Sequence, residues 1–327
     1  MAAQHDGGYI QPFGSLPKPE AVASKYLLAQ SLPLEIYESL MPTPTATIDV
    51  RSLLDSVTHV ADSLDGIDYE RIRDDVRRHS LARVRGLLDR QTVRACLERI
   101  QSTFNRDNDR KHDPHDTDAV RRNFQKLQIG ANSGADTRRT LGRFLRILYN
   151  PIFAEDIFGL RESFAITARF RNRLYGLPED FAVEGTDNGF FTCSRIQQYP
   201  QGGGFMVPHR DIFSRLATEK SDLGYFQVFF MLTEKGLDYH EGGGYVEIDE
   251  QRVIFENHTV SGDIVIYDGR TMHGVADVDP LLPLDLDTFG GRSAGFVSLF
   301  RHLASDGNSY AKLSREAVER LMPGDSH

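Results

Sequence analysis

Three residues in the C-terminal half of the sequence have the types and spacing of a metal site: His209, Asp211 and His273. His209 and Asp211 are two residues apart, so on an extended strand their side chains lie on the same face. His273 follows Asp211 by 62 residues and has to reach it from a distant strand. Two imidazoles and one carboxylate form the ligand set of non-haem iron sites, in which further positions stay open for small ligands and O₂.

The sequence around these residues is rich in short β-type runs that are separated by Gly, Pro and Asp. Such runs predict antiparallel strands in a sandwich or barrel, and a rolled β-fold can bring His273 to face the other two ligands. The predicted strands are Phe190–Tyr199, Tyr225–Leu232, Gly244–Ile248, Arg252–Phe255, Asp263–Tyr267 and Ala294–Phe300.

The residues before this region predict mainly helices, and helices followed by strands predict an α+β fold. We expect a flexible arm over residues 1–17, a mainly helical supporting region over 18–187, a β-rich core over 188–303 and a helix or tail over 304–327. The predicted N-terminal elements are a helix near Leu53–Leu64 with Ser52 as its cap, a strand at Leu81–Gly86, a helix capped by Asp89, and helices at Arg138–Tyr149 and Leu160–Leu174.

Composition and charge narrow the class of protein. The chain has 327 residues, 40% of them apolar and 26% charged, and a net charge of −9, which argues against non-specific nucleic-acid binding. We expect no membrane segment, because no apolar run approaches the roughly 18 residues that span a bilayer. Two cysteines, Cys96 and Cys193, cannot form a disulfide framework, so a cytoplasmic location is predicted. Cys96 falls on the apolar side of its helix and is predicted to be a buried, unreactive thiol.

Two segments, Arg195–Asp211 and Gly262–Gly274, resemble the Fe(II)- and 2-oxoglutarate-dependent dioxygenase superfamily, as in phytanoyl-CoA-hydroxylase-like and related small-molecule oxygenases. The first holds Pro-Gln-Gly-Gly-Gly before the His-x-Asp pair, and the second holds Gly-Asp-Ile-Val-Ile-Tyr-Asp-Gly-Arg-Thr-Met-His-Gly around His273. The resemblance implies a jelly-roll (double-stranded β-helix) core with N-terminal helices packed around it. It also implies Fe(II), 2-oxoglutarate as cosubstrate, and O₂, with His209, Asp211 and His273 holding the metal.

The resemblance further implies a basic residue on the last core strand that grips the distal carboxylate of the cosubstrate. Arg292 opens that strand, 19 residues after His273, with Arg301 as the reserve candidate. The planar fork of arginine suits a carboxylate because it offers two parallel hydrogen bonds. Gln197 and Tyr199 share one strand face and resemble the amide-x-Tyr pair that contacts the cosubstrate in some members.

The substrate class is less closely specified than the metal site. Four residues are candidate substrate contacts, namely Arg195, Arg215, Gln227 and Arg270, and the segment Tyr239–Glu241 lies near the expected site loops. The arginines of the Leu160–Leu174 helix are predicted to form a solvated face. We expect hydroxylation, desaturation or cyclisation of a small polar molecule, such as an amino acid or natural-product intermediate, by a monomer or homodimer. The carboxylate of Asp211 favours hydroxylation over halogenation, because family halogenases carry a small residue there.

Other functions fit parts of the sequence less well. A non-haem iron oxidase or oxidative cyclase, or a cupin-type metalloenzyme, would keep the β-core and the ligands but not use 2-oxoglutarate. A non-catalytic binding module is disfavoured because all three ligands are present. The segment Gly291-Arg-Ser293-Ala-Gly295 matches a serine-hydrolase motif, but a β-run rather than a helix follows it. His112 and His115 lie in a charged loop that would hold a metal poorly.

Overall fold

The computed structural model describes residues 48–111, 122–129, 142–187, 190–211 and 226–301. Four helices and fourteen strands lie within these residues, together with short 3₁₀ turns, one of which spans Phe255–His258. The helices are α1 (Val50–Ser56), α2 (Tyr69–His79), α3 (Arg90–Thr103) and α4 (Arg161–Leu174). The first six strands are β1 (Thr58–Val60), β2 (Leu81–Arg85), β3 (Arg110–Lys111), β4 (Phe124–Gln128), β5 (Gly142–Arg143) and β6 (Leu145–Tyr149). The last eight are β7 (Phe190–Tyr199), β8 (Gly204–His209), β9 (Phe226–Met231), β10 (Gly243–Ile248), β11 (Gln251–Ile254), β12 (Ile264–Asp268), β13 (His273–Val278) and β14 (Arg292–Arg301).

The last eight strands pair in a nested order. Strand β7 pairs with β14, β8 with β13, β9 with β12 and β10 with β11, all antiparallel. Two further antiparallel pairings, β14 with β9 and β10 with β13, join these pairs into two sheets. A hairpin of eight strands rolled up in this way is a jelly roll, so the predicted fold class is confirmed.

The two sheets differ in size because the N-terminal strands extend them. The nine-stranded sheet has the order β1-β2-β12-β9-β14-β7-β6-β4-β3, and the five-stranded sheet has the order β11-β10-β13-β8-β5. The N-terminal region therefore contributes strands to both sheets as well as the helices.

The inner and outer faces of the nine-stranded sheet follow from the alternation of side chains along each strand. On β9, Val228 and Phe230 join the helices in one apolar cluster, whereas Phe229 and Met231 join Val246 and Val253 of the five-stranded sheet in another. Helices α2, α3 and α4 thus cover the outer face, and the second sheet covers the inner face. A strand buried on both sides reads as a nearly continuous apolar run, as β9 does.

The helix starts are set by side chains that accept hydrogen bonds from free backbone N–H groups. Asp89 accepts from the backbone N–H of Thr92 at 2.7 Å and caps α3, as predicted. Asp49, rather than the predicted Ser52, caps α1. Cys96 on α3 is buried, its thiol donates to the carbonyl of Gly159 at 3.1 Å, and burial raises its thiol pKa, which agrees with an inert thiol.

Two predicted helices are wrong in whole or in part. The segment Arg138–Tyr149, as far as it is described, forms β5 and β6, and all five residues of β6 are buried. A short apolar run of this kind cannot be told from a helix by periodicity alone. The helix predicted near Leu53–Leu64 ends at Ser56, because the chain continues as β1, which pairs in parallel with β2. Helix α2 was not predicted.

Parts of the sequence interpretation concern residues outside the described ranges. The arm over 1–17, residues 18–47 and the tail over 304–327 belong to these, as do His112, His115 and Arg215. Within the described ranges, the helices are too short or too polar to cross a lipid bilayer.

Candidate metal centre

The three predicted ligands come together between β8 and β13. His209 is the last residue of β8 and lies directly opposite His273, the first residue of β13. Asp211 follows two residues later and is fixed by its backbone N–H, which donates to the carbonyl of Gly269 at 2.9 Å. One ligand atom from each of the three residues lies within 4.8 Å of the other two. The His273 Nε2 to Asp211 Oδ2 distance is 4.0 Å, so one ion can contact all three side chains.

Hydrogen bonds to the backbone set the tautomers of both imidazoles. The Nδ1 atom of His209 lies 2.9 Å from the carbonyl oxygen of Val207, and Nδ1 of His273 lies 2.9 Å from that of Thr271. A carbonyl oxygen can only accept, so each Nδ1 carries the proton and each Nε2 has its lone pair available for a metal. A backbone carbonyl behind each ligating histidine is a common arrangement in metal sites. The three side chains therefore fit a facial triad.

Gln227, on β9, contacts the carboxylate of the site. Its side-chain amide donates a hydrogen bond from Nε2 to Oδ2 of Asp211. This bond, made by a residue of another strand, helps to fix the orientation of the carboxylate. Gln227 was predicted as a substrate contact, and the structure places it behind a metal ligand.

A cavity of about 180 Å³ lies between the two sheets and includes the triad in its wall. Sites for drug-sized ligands have volumes of roughly 300–1,000 Å³, so the described walls suit a smaller molecule. Aromatic rings, among them Phe229, Tyr267 and Phe296, form much of the remaining wall. The predicted residues that line this cavity are Arg195, Gln197, Tyr199, Gln227 and Arg292.

Arg195, Gln197 and Tyr199 lie on the inner face of β7, as their alternation predicted. The Nη1 group of Arg195 donates to the carbonyl of Cys193 at 3.2 Å and to the hydroxyl of Ser298 at 3.1 Å. Burial raises the pKa of Tyr199 to about 12, so its phenol stays protonated and can donate a hydrogen bond into the cavity. These side chains provide polar contacts on an otherwise aromatic wall.

Arg292 faces the cavity but already has a carboxylate partner. Its Nε and Nη2 groups both donate to Oε1 of Glu256, at 2.9 and 2.7 Å. The phenol of Tyr239 donates to the other oxygen, Oε2. Arg292, Glu256 and Tyr239 are each at most 2% exposed to solvent. Burial by itself lowers the pKa of Arg292, but the charge of Glu256, its hydrogen bonds and smaller contributions from Tyr199 and Tyr239 together outweigh burial and raise the pKa, so Arg292 stays charged.

The contacts of Glu256 with Arg292 and Tyr239 were not predicted. Tyr239 was expected near site loops, most simply on the surface, yet it is buried, and burial together with Glu256 raises the pKa of its phenol. Glu256 lies in the Phe255–His258 turn, a stretch with no motif that could have singled it out. The only sequence signal nearby is the glycine run before Tyr245, which leaves room for the Glu256 carboxylate.

The structure places the other predicted residues away from the site. Arg270 pairs with Asp268 two residues earlier, its side chain is 46% exposed, and it is not part of the cavity wall. Arg301 is the last residue of β14, opposite Phe190, at the far end of the strand from Arg292. The solvated face predicted for the α4 arginines is wrong for Arg171, which is buried.

The serine-hydrolase interpretation is not supported. Ser293 is fully buried within β14, and its backbone N–H donates to the hydroxyl of Thr233 at 2.7 Å. Strand β14 continues straight through the motif to Arg301, so the sharp strand-to-helix turn that exposes a nucleophilic serine does not form here.

No family model and no curated protein matches the sequence. The chain is similar to several solved structures, and three of them each align with 75–76% of its length. One is a prolyl hydroxylase from Trichoplax adhaerens in complex with a hypoxia-inducible factor oxygen degradation domain peptide fragment (10% identity, 93% of that chain covered, TM-score 0.42). Another is the non-heme alpha-ketoglutarate-dependent epimerase of nogalamycin biosynthesis (14% identity, 96% of that chain covered, TM-score 0.42). A third is an oxidoreductase of the 2OG-Fe(II) oxygenase family from Burkholderia pseudomallei (10% identity, 94% of that chain covered, TM-score 0.40). Identities of 10–14% leave the role of each residue to be derived from the site itself.

Proposed function

We propose that this chain is a non-haem Fe(II)-dependent oxygenase that takes 2-oxoglutarate, or a 2-oxo acid related to it, as cosubstrate. The observation that carries the proposal is the convergence of His209, Asp211 and His273 at the wall of one cavity, with ligand atoms within 4.8 Å of one another. Two neutral imidazoles and a carboxylate are the donor set that Fe(II) oxygenases use. When bound, the iron supplies the activation of O₂ that no amino-acid side chain can supply.

The residues around the triad support this chemistry by binding, orienting and excluding water. Gln227 holds the carboxylate of Asp211, and the two backbone carbonyls hold the imidazoles. Gln197 and Tyr199 offer hydrogen bonds to a bound ligand, and the aromatic wall keeps bulk water from the reacting atoms. Because the cavity is small and partly polar, we propose that a small polar molecule, such as an amino acid or natural-product intermediate, is hydroxylated, desaturated or cyclised. A cytoplasmic location and a monomeric or dimeric state stay predictions from the sequence.

A second candidate is an iron oxidase, an oxidative cyclase or a cupin-type enzyme that works without a 2-oxo acid. The observation that favours it is the ion pair between Arg292 and Glu256, because the residue expected to grip the cosubstrate already has an internal partner. The metal ligands are common to both candidates, so the cosubstrate distinguishes them.

The deciding experiment adds Fe(II) to the metal-free protein under anaerobic conditions and then adds a 2-oxo acid. We expect a weak visible charge-transfer band that needs both components, with 2-oxoglutarate or with 2-oxopentanoate. Iron binding without a band for any 2-oxo acid would favour the second candidate. Absence of iron binding at His209, Asp211 and His273 would refute both.

A further inference from the structure

We infer that Glu256 occupies the place on Arg292 that the distal carboxylate of 2-oxoglutarate would take, so the cavity selects 2-oxo acids whose distal end is uncharged. The inference rests on the proposed function, because it assigns the cosubstrate class of the same site. It concerns the binding of the cosubstrate and adds no chemical step.

The charges of Arg292 and Glu256 balance each other without a ligand. Both Nε and Nη2 of Arg292 donate to one oxygen of Glu256, and the two side chains are 2% and 1% exposed. The pair is therefore neutral as a unit, and little water is available to screen a third charge. A second carboxylate at this point would lie beside the Glu256 carboxylate, and like charges in a desolvated site repel each other strongly.

Glu256 is held on both sides and cannot easily move aside. Its other oxygen accepts a hydrogen bond from the buried phenol of Tyr239, so both oxygens have partners. Displacing it would leave a buried carboxylate without its cation, which is strongly unfavourable. A ligand that needs Arg292 for itself would have to overcome this loss before gaining any binding free energy.

The backbone at the start of β10 is shaped around the Glu256 carboxylate. A Cβ atom on Gly243 would lie 2.8 Å from its Oε2, and one on Gly244 would lie 2.6 Å from its Oε1. Gly243 also has a φ of +106°, a conformation that residues other than glycine rarely adopt. Two successive glycines at the start of β10 thus give the carboxylate its space.

Arg292 keeps one donor for a ligand. Its hydrogen bonds to Glu256 use Nε and Nη2, and within the described part of the chain Nη1 has no acceptor, although Arg292 lines the cavity. A hydroxyl, amide or ether oxygen at the distal end of a 2-oxo acid can accept this hydrogen bond without adding charge. An alkyl end, as in 2-oxopentanoate, cannot accept the bond but adds no charge either.

The test compares two five-carbon 2-oxo acids that differ in distal charge. The affinities of 2-oxoglutarate and 2-oxopentanoate are measured by anaerobic calorimetry on protein loaded with Fe(II) or Mn(II), whose own binding is measured first. We expect the wild-type protein to bind 2-oxopentanoate more tightly by at least about tenfold. In Glu256→Gln, which keeps the shape and removes the charge, the ratio shifts towards 2-oxoglutarate by at least about tenfold.

Glu234→Gln is the matched control. Glu234 is also a buried carboxylate paired with an arginine, Arg90, but neither residue is part of the cavity wall. The ratio of the two affinities is expected to match wild type in this variant. If Glu256→Gln does not fold, as judged by circular dichroism, the ratio in the wild-type protein alone decides.

The remaining outcomes separate this inference from the proposed function. Tighter binding of 2-oxoglutarate by wild type, with an unchanged ratio in Glu256→Gln, overturns the inference and moves the distal anchor to another cation, such as Arg195. Metal binding without binding of either acid overturns it too and favours the second candidate function. Failure to bind metal refutes the proposed function itself.

Discussion

At the scale of single residues, the site depends on side chains that hold the ligands as well as on the ligands. His209 and His273 are each fixed by a backbone carbonyl two residues earlier, and Asp211 is fixed by Gln227. The imidazoles are thus held by local hydrogen bonds, whereas the carboxylate depends on a residue from another strand. Removal of a ligand and removal of its partner should therefore give different, measurable losses.

Removal of a ligand should abolish tight metal binding without unfolding the chain. His209→Ala or Asp211→Ala is expected to weaken Fe(II) binding by more than about 100-fold, since loss of a supporting partner alone changes metal affinity by roughly 10–100-fold. Anaerobic calorimetry measures the affinity, and circular dichroism checks the fold. His240→Ala, at an exposed histidine, is the control and should bind as wild type does. Wild-type affinity in either ligand variant would end the assignment.

Removal of Gln227 should weaken the metal site without destroying it. In Gln227→Ala, Asp211 loses the amide partner that orients its carboxylate, so we expect metal affinity to fall by about 10–100-fold. The same calorimetric titration measures this change. Gln91→Ala, at an exposed position on α3, is the control. An unchanged affinity would show that the Gln227 amide does not orient the ligand.

The grouping of His209, Asp211 and His273 could be predicted from the sequence, but the partners of Arg292 could not. His209 and Asp211 are two residues apart, and this spacing predicts that both side chains lie on the same face of an extended segment. Glu256 and Arg292 are 36 residues apart, on a 3₁₀ turn and on a strand of another layer, and only the folded backbone brings them together. Neither residue type nor spacing gives a signal for a pair of this kind.

At the scale of secondary-structure elements, α4 is joined to the sheet by a buried arginine. Arg171 is 3% exposed, and its guanidinium donates to the carbonyl of Val297 on β14 and to the side chains of Asn172 and Thr192. The sequence pattern assigned this arginine to a solvated face, because a charged residue on a helix is usually exposed. A helix that packs on a sheet can bury an arginine when strand groups offer acceptors.

Loss of this connection should destabilise the protein measurably. Arg171→Leu leaves several buried acceptors without donors, so we expect the free energy of unfolding to fall by about 2–4 kcal/mol. Chemical denaturation followed by circular dichroism measures it. Arg161→Leu, at an exposed position on the same helix, should change stability by no more than about 0.5 kcal/mol. Equal effects in the two variants would contradict the role given to Arg171.

The cap of α3 gives a prediction about acid stability. The hydroxyl and backbone N–H of Thr92 both donate to the Asp89 carboxylate and hold its pKa below the usual value. A lowered folded-state pKa means that the stabilisation is present above about pH 4 and is lost as the pH falls through the folded pKa. Asparagine caps a helix about as well but does not titrate in this range. As the pH falls from about 6 to about 3, the free energy of unfolding should therefore decrease less for Asp89→Asn than for wild type. Denaturant unfolding measures this difference, and parallel pH profiles would refute the prediction.

At the scale of the whole molecule, the N-terminal elements and the jelly roll share both sheets and an apolar core. Strand β2 pairs with β12, β6 pairs with β7, and α2, α3 and α4 cover the outer face of the sheet. The alternation of short strands made the β-core predictable, because each run is bounded by turn residues. The strands absent from the prediction include β1, β5 and β6, which are too short or too evenly apolar to differ from helix or loop in sequence.

A fragment limited to the predicted core should therefore not fold by itself. Residues 188–303 alone would expose the outer-face side chains of β9, β12 and β14, a larger apolar surface than monomers tolerate. We expect this fragment to aggregate and to show no cooperative thermal unfolding, whereas residues 48–303 should unfold cooperatively. Size-exclusion chromatography and circular dichroism measure both. A stable, metal-binding 188–303 fragment would contradict the shared core.

The nested pairing of the jelly roll has a consequence for the rate at which the chain folds. Its outermost pair joins residues such as Gln197 and Ala294, 97 positions apart, and the pair that carries the histidines joins residues 64 positions apart. Closing such long loops lowers chain entropy before many contacts form, and folds with distant contacts reach the native state slowly. The histidines meet only when β8 and β13 pair, so we expect metal to leave the refolding rate nearly unchanged and to slow unfolding. A bound ion would then increase the kinetic stability of the native state without speeding its formation.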